Sequence, residues 1–123
     1  MSHIPAREQA LALADRLHVI GPIAVTPFFG GAGLVKNGVQ FAFIINDVLY
    51  LRVDDLSRPD FEALGAAPFT YATRSKIVTV ASYYELPNEI ADDHDELIRW
   101  ATRASHAALQ AKSTRRRKRH SSR

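Results

Sequence analysis

The sequence predicts an α+β domain of two layers, in which helices pack on an antiparallel sheet of five strands. Apolar residues recur at helical spacing near both ends of the chain, while the segments between them alternate and are rich in β-branched and aromatic residues. These segments follow one another through short turns, which favours antiparallel pairing. The predicted order is helix, three strands, helix, two strands, helix.

The first predicted element is an amphipathic helix over residues 6–18. Pro5 stands where a helix start tolerates proline, and Gly21 with Pro22 suits the end of the helix. The apolar residues that share one face of this helix are Ala10, Leu13, Ala14 and Leu17.

Three strands are predicted next, near 23–29, 33–45 and 48–53, with a kink in the second at Asn37 and Gly38. A two-residue turn after residue 45 would set the register of the last two strands and give this hairpin two faces. The purely apolar face, which we expect to lie on the core, consists of Ala42, Ile44, Leu49, Leu51 and Val53. The other face carries Phe41, Phe43, Ile45, Val48 and Tyr50.

A short helix and a second hairpin are predicted after these strands. Ser57 is the expected N-cap of the helix, with Asp60 three residues later. Residues 68–87 then alternate and turn near Arg74 and Ser75. The residues that share one face of this second hairpin are Phe69, Tyr71, Val78 and Val80.

The last helix is predicted to begin after Pro87 and to run to about Ala111, with acidic residues at its start, where the helix dipole favours them. Residues 112–123 (KSTRRRKRHSSR) then hold seven of the sixteen Lys and Arg and no acid. The formal charge of +3 therefore hides a body with nine basic and thirteen acidic side chains, a charge of −4. We expect one domain, residues 1–111, followed by a disordered basic tail, residues 112–123.

Composition and motif spacing exclude several function classes. The chain has no cysteine, which excludes disulfides and thiolate nucleophiles and favours a cytoplasmic location. The uncharged segment between Arg16 and Lys36 contains glycines and prolines that would break a membrane-spanning helix, so we expect no membrane contact. The five histidines and the neighbouring Asp54 and Asp55 show no spacing typical of catalysis or metal binding.

The stretch PFFGGAGL, residues 27–34, raises the question of a phosphate-binding loop. It lacks the Gly-Lys-Ser/Thr ending of such loops, and a strand pattern follows it where a helix would be needed. We therefore expect a structural bend between strands, no enzymatic activity and no cofactor.

Two candidate interaction sites remain. The second face of the first hairpin is more apolar than a solvated sheet face should be, so we expect a cover or a protein interface at Phe41, Phe43, Ile45, Val48 and Tyr50. The basic tail could bind nucleic-acid phosphates without reading sequence, or only increase solubility. Its basic run consists of Arg115, Arg116, Arg117, Lys118 and Arg119.

Three motifs, taken in order and spacing, carry a family resemblance from about Pro27 to Ala104. They are FFGGAGLVKNGVQFAFIINDVLYLRVDD, SRPDFEALGAAPFTY and SYYELPNEIADDHDELIRWATRA. Together they resemble the N-terminal domain of the TfoX/Sxy family, bacterial proteins named for regulators of natural competence.

The resemblance implies a two-layer α+β fold with a five-stranded antiparallel sheet and no catalytic residues. The best-known members of the family act as positive regulators of competence genes, as accessory factors to a transcription activator, and carry a second, C-terminal helical domain. Here only the basic tail follows Ala111. The expected function is a non-enzymatic regulatory domain that contacts itself or a protein partner such as a transcription regulator. The alternative is a nucleic-acid-associated accessory protein that acts through the tail.

Overall fold

The structure of the chain, a computed structural model, describes residues 4–121, and side chains as far as residue 115. A turn of 3₁₀ helix, His18–Ile20, follows the first helix. The helices and strands of the described range are, in order, α1 (Ala6–Arg16), β1 (Ala24–Phe28), β2 (Gly31–Lys36), β3 (Val39–Ile45), β4 (Val48–Arg52), α2 (Arg58–Ala63), β5 (Pro68–Ala72), β6 (Ile77–Glu85), α3 (Asn88–Ala91) and α4 (His94–Ser121).

These strands form one antiparallel sheet in the order β1-β2-β3-β4-β6-β5. Helix α1 packs on β1, β2 and β3, and α4 packs on β3 and β4 from the same side. The α+β class with an antiparallel sheet is confirmed. The expected count of five strands is wrong, because the described sheet has six and the predicted strand 33–45 is two strands joined by a turn.

Three consecutive hairpins share the same kind of two-residue turn, at Phe29–Gly30, Asn37–Gly38 and Asn46–Asp47. Both residues of each turn have positive φ, the feature of type I′ turns, whose twist matches that of the flanking strands. Asparagine, aspartate and glycine tolerate this conformation well, so Asn37 and Gly38 reverse the chain fully where only a kink was predicted.

The helix side of the sheet holds the main hydrophobic core. The predicted register of β3 and β4 is confirmed, since Ile45 lies opposite Val48 and Phe43 opposite Tyr50. The predicted core face is confirmed too: Leu49 is half-buried and the rest of that set is buried. The buried residues that the helices contribute are Ala10, Leu13, Phe61, Leu97, Trp100, Ala101, Ala104 and Ala108.

Phe41 does not lie on the sheet face predicted for it. Leu34 pairs with Ala42 while Val35 pairs with Gln40, so β3 has one extra residue at Phe41, a β-bulge. The bulge directs the Phe41 side chain to the helix side, where it is fully buried in the main core. Strict alternation predicts the wrong face here because each extra residue resets the alternation.

Ser57 occupies the N-cap position of α2, as predicted, but the side chain that caps this helical turn is that of Asp54. The Arg58 N–H donates to the Asp54 carbonyl at 2.9 Å, which starts the helical turn three residues earlier. Asp54 Oδ1 accepts hydrogen bonds from the N–H groups of Leu56 and Ser57, at 3.1 and 2.9 Å. Ser57 Oγ in return accepts from the Asp54 N–H at 3.0 Å. The pair forms a capping box, in which Ser57 has the closing role.

The helix predicted after Pro87 is two helices in the structure, and the second is longer than expected. Helix α4 passes the predicted end near Ala111 and continues through Ser121. Residues 112–121 contain no glycine or proline that could end a helix, and lysine and arginine are good helix formers. The basic segment expected to be disordered is therefore helical as far as it is described.

Candidate functional site

The side of the sheet opposite the helices, called here the aromatic face, carries most of the chain's aromatic rings. Neighbouring rings lie 4.6 to 6.2 Å apart between centroids, in tilted, edge-to-face and stacked arrangements. Such pairs contribute roughly 0.5–1.5 kcal/mol each beyond the burial of their area. The rings belong to Phe28, Phe29, Phe43, Tyr50, Phe69, Tyr71 and Tyr83.

Phe43 lies at the centre of the aromatic face. Its ring centroid is 4.6 Å from that of Phe28, 4.7 Å from that of Tyr83 and 5.0 Å from that of Phe69. The residue is only 1% exposed, although the elements packed around it are strands and not helices. The expected cover for this face is thus supplied by side chains of the sheet itself.

The ring contacts join the two edge strands of the sheet, β1 and β5. A flat sheet of six strands would hold its edges about 24 Å apart, at about 4.8 Å per strand. The pairing of β5 with β6 shifts register between Pro68 and Phe69. Beyond this shift, the ring centroid of Tyr71 lies 6.2 Å from that of Phe29. The sheet is therefore bent strongly around the aromatic face.

An open cleft remains where the two edges meet, and we call it the aromatic cleft. It has a volume of about 320 Å³. Two of its aromatic side chains are exposed, Phe29 by 75% and Tyr71 by 43%. The cleft lies between the β1–β2 turn, the β3–β4 turn and β5, and its lining residues are Phe29, Ile45, Asn46, Phe69, Thr70, Tyr71 and Ala72.

Phe29 combines high exposure with an unfavourable backbone conformation. Its φ of 46° lies in the left-handed region, which costs a residue with a Cβ roughly 1–2 kcal/mol. A bulky residue in that region is uncommon, and such outliers cluster at functional sites. The chain therefore presents an aromatic ring to solvent at a position where asparagine would be more favourable.

Ile45, Val48 and Tyr50, which were predicted as interface residues, are half-buried on the aromatic face. Ile45 lines the aromatic cleft. Burial, and then the negative charge of Glu85, raise the pKa of the Tyr50 phenol above its ordinary value of 10.0.

A second cleft, called here the basic cleft, contains Arg115 from the predicted tail. It has a volume of about 440 Å³ and lies between α4, the end of β4, the start of α2 and β6. The side chains of Arg116, Arg117, Lys118 and Arg119 lie outside the described residues. The cleft is lined by Arg52, Val53, Asp54, Asp55, Arg58, Ser82, Ala107, Gln110, Ala111, Thr114 and Arg115.

Sequence reasoning missed the aromatic cleft because its residues come from distant parts of the chain. Alternation places Phe69 and Tyr71 on one face of their own hairpin, but β4 and β6 pair across more than thirty residues and nothing local indicates this pairing. The one local signal is Phe29 before Gly30, an aromatic residue in a turn position that favours asparagine.

Neither a cluster of metal-ligating side chains nor a membrane-spanning helix is found among the described residues. Among the side chains that the structure describes, no group of three or more His, Asp or Glu is placed to hold a metal ion. None of the described helices combines the length and the apolar character that crossing a bilayer requires. What the geometry provides is two surfaces suited to binding, one aromatic and one basic.

Comparison with known proteins identifies the family. No curated protein matches the chain significantly. The family model of the TfoX N-terminal domain matches residues 15–108, a range that runs from α1 to α4 and includes every described strand. The protein belongs to the TfoX N-terminal domain family.

Proposed function

We propose that the protein is a cytoplasmic, non-enzymatic regulatory domain that acts through protein contacts at the aromatic cleft. The family suggests a regulatory type of domain and is not a known enzyme family. The observation that carries the proposal is Phe29, which is 75% exposed, is held in a left-handed conformation and lines the cleft. Burying this ring against a partner recovers the hydrophobic free energy that its exposure forfeits.

The cleft fits a segment of a partner protein in extended conformation. Its volume of about 320 Å³ is at the small end of ligand sites and suits one or two large apolar side chains. One wall is β5, an edge strand of the sheet, whose outer backbone groups can pair with an added strand. The polar side chains of Asn46 and Thr70 can hydrogen-bond to the backbone of such a segment. The partner we propose is a regulatory protein, such as a transcription regulator, that presents an apolar side chain from an extended segment.

The test is capture of partners by the immobilised full chain, compared with two variants. Phe29→Asn removes the ring and keeps the turn, because asparagine tolerates positive φ. Leu56→Asn is the matched control, since Leu56 is 85% exposed and lies outside the cleft. We expect a protein, identified by mass spectrometry, that binds the wild type and Leu56→Asn and is lost with Phe29→Asn.

Light scattering on the same three proteins separates a foreign partner from self-association. A wild-type dimer that Phe29→Asn converts to monomer would make a second copy of the chain the occupant of the cleft. Equal capture and equal mass for all three proteins would contradict the proposal.

A second candidate function is association with nucleic acid through the basic C-terminal segment. It is favoured by the continuation of α4 through Ser121, which places the basic run of residues 115–119 on one helix. Phosphate contacts by lysine and arginine make the affinity fall steeply with salt. Duplex DNA should bind the full chain more tightly than residues 1–111 at low salt, whereas equal affinities across a salt series would remove this candidate.

A further inference from the structure

The outer part of the β5–β6 hairpin, residues 70–79, extends beyond the rest of the sheet, and we call it the hairpin arm. Strand β4 pairs with β6 only between Tyr83 and Glu85, so no other described strand pairs with the arm on either of its edges. Every residue from 70 to 77 is exposed. A strand edge of this kind is a template for the addition of a further strand.

The edge of the arm that borders the aromatic cleft is the outer edge of β5. The Thr73 N–H donates to the Lys76 carbonyl at 2.8 Å, which fixes the side of the strand that faces β6. Because alternate residues of an antiparallel strand face its partner, the backbone groups of Thr70 and Ala72 point away from β6. Both residues line the aromatic cleft. An extended segment in the cleft can therefore pair with the backbone of both residues.

The hairpin arm is basic, although the body of the protein, residues 1–111, carries more acidic than basic side chains. Between Glu62 and Glu85 the only charged residues are Arg74 and Lys76, which lie at the turn of the arm. Both are exposed, and among the described residues neither side chain has an ion-pair partner. The arm thus presents two positive charges that the rest of the described chain does not neutralise by contact.

The aromatic cleft itself adds no charge to its binding surface. All of its lining residues are apolar or polar without a charge. Asp47 follows the lining residue Asn46, but it accepts a hydrogen bond from Gln9 Nε2 at 2.6 Å and so is held by α1. A segment that lies along β5 therefore meets positive charge at one of its ends, where β5 leads into the turn.

We propose that the segment bound in the aromatic cleft adds as a strand to the outer edge of β5 and is acidic at the end that reaches Arg74 and Lys76. This inference rests on the proposed function and names the chemistry of its partner: one large apolar side chain for the cleft, with aspartate or glutamate to one side of it. The partner is a different protein, because the edge strands that a second copy would offer, β1 and β5, contain no acidic residue. Exposed ion pairs of this kind select the partner and its direction along β5 more than they increase affinity.

The test is selection from a phage-displayed library of random peptides on the immobilised full chain. The salt concentration is about 0.15 M, at which charges more than about 8 Å apart are largely screened. The arm variant carries Arg74→Gln and Lys76→Gln. Its matched control carries Arg7→Gln and Lys112→Gln, which removes the same charge from α1 and α4, outside the cleft. Phe29→Asn tests the proposed function separately, because it removes an aromatic ring from the cleft lining.

Peptides selected by the wild type and by the control should share a large apolar residue with aspartate or glutamate to one side. In fluorescence anisotropy with the synthetic peptide, the arm variant should bind roughly three- to tenfold more weakly, as for two exposed ion pairs. Phe29→Asn should bind at least about tenfold more weakly. Hydrogen exchange at the amides of Thr70 and Ala72 should slow when the peptide binds, because strand addition pairs the edge of β5.

Selected peptides that share an apolar residue but no acidic one would overturn this inference and leave the proposed function standing. Acidic peptides that Phe29→Asn binds as tightly as the wild type, or that leave exchange at Thr70 and Ala72 unchanged, would also overturn it, because the charge would then act outside the cleft. Selection without a common sequence would contradict the proposed function as well.

A nucleic acid is the other occupant that the same variants test. The exposed rings of Phe29 and Tyr71 can stack on bases, and the arm could contact phosphates. Single-stranded DNA that binds the wild type more tightly than any selected peptide, and that the arm variant binds less tightly, would overturn the proposal of an acidic protein segment. Weaker binding of this DNA than of the peptides supports the proposal.

Discussion

At the residue scale, the aromatic face depends on Phe43, a buried ring held by other rings. Its neighbours come from four strands: Phe28 from β1, Tyr50 from β4, Phe69 from β5 and Tyr83 from β6. A side chain with this position joins the edge strands to the centre of the sheet. It is a structural residue more than a docking residue, and the exposed Phe29 and Tyr71 are the ones that can meet a partner.

Replacing Phe43 should therefore unfold the domain and not merely dissociate a complex. Phe43→Ala should lower the free energy of unfolding by about 3–5 kcal/mol, the range for buried phenylalanine. Phe43→Glu should be worse, because its carboxylate would be buried without a partner. Urea unfolding followed by circular dichroism measures both. Tyr71→Ala is the control with little expected effect, and a Phe43→Glu protein with the wild-type midpoint would contradict this view of the face.

Asp54 gives the chain a titratable helix cap. Burial acts to raise the pKa of its carboxyl, but the hydrogen bonds from Ser57 and Leu56 outweigh it and hold this pKa below the ordinary value of 3.8. Because the Asp54 carboxyl has a lower pKa in the folded than in the unfolded protein, its ionised form stabilises the fold, and this stabilisation is complete at any pH above the pKa of the unfolded protein. This stabilisation is lost as the pH falls through the lowered pKa.

Asp54→Ala should lower the free energy of unfolding by about 1 kcal/mol at pH 7, as for other lost N-caps. The difference from the wild type should stay constant down to about pH 4 and shrink below it, since protonation removes most of the wild-type advantage. Urea unfolding at a series of pH values measures this. Asp55→Ala provides the comparison, because the Asp55 side chain is 98% exposed. A difference that grows on acidification would show that Asp54 has another role.

At the element scale, the β1–β2 hairpin explains why the stretch PFFGGAGL contains two consecutive glycines, Gly30 and Gly31. Gly30 has a φ of 77° and takes the second turn position, and a Cβ added there would meet no other atom within 4 Å. Gly31 needs no unusual φ; instead, a Cβ there would meet the backbone oxygen of Ile44 and the side chain of Ile45. One glycine serves the turn and the next serves the close approach of β2 to β3.

The two glycines should accordingly differ in their response to alanine. Gly30→Ala should lower the free energy of unfolding by about 1–2 kcal/mol, the cost of a left-handed alanine. Gly31→Ala should cost clearly more, because a backbone atom of β3 must move to make room. Both values come from urea denaturation of the two variants side by side. Equal costs would mean that the sheet yields at this point.

Which of these elements the sequence predicts depends on how local their causes are. The β3–β4 register follows from the two-residue turn at Asn46 and Asp47, and the core face follows from alternation, so both were predicted correctly. The bulge at Phe41 depends on pairing with β2, which alternation within β3 does not contain. The capping role of Asp54 is not predicted, because Ser57 is itself a favoured N-cap residue and directly precedes α2.

At the scale of the whole molecule, the described residues form two cores, one on each side of a bent sheet. The helix-side core was predictable because the apolar residues of an amphipathic helix recur at helical spacing and so identify the side of the helix that packs on the sheet. The aromatic core was not, because it forms only when β4 pairs with β6 and β5 bends towards β1. The aromatic cleft is a product of that bend, so its residues could be recognised singly but not as one site.

A second question for the whole molecule is whether the basic C-terminal segment, residues 112–123, folds as part of the domain. Among the side chains of α4 that are described, which end at Arg115, the last buried one is Ala108. The family match ends at the same residue, whereas α4 continues through Ser121. We therefore expect residues 1–111 to fold alone, with a thermal unfolding midpoint within about 4 °C of that of the full chain. For a domain of this size, such a shift corresponds to a difference of less than about 1 kcal/mol in the free energy of unfolding. The full chain should show additional helical ellipticity at 222 nm from residues 112–121. If the midpoint of residues 1–111 is lower than that of the full chain by more than this, the basic segment is part of the cooperative fold. If the two proteins have equal helical content per molecule, the extension is not helical in solution.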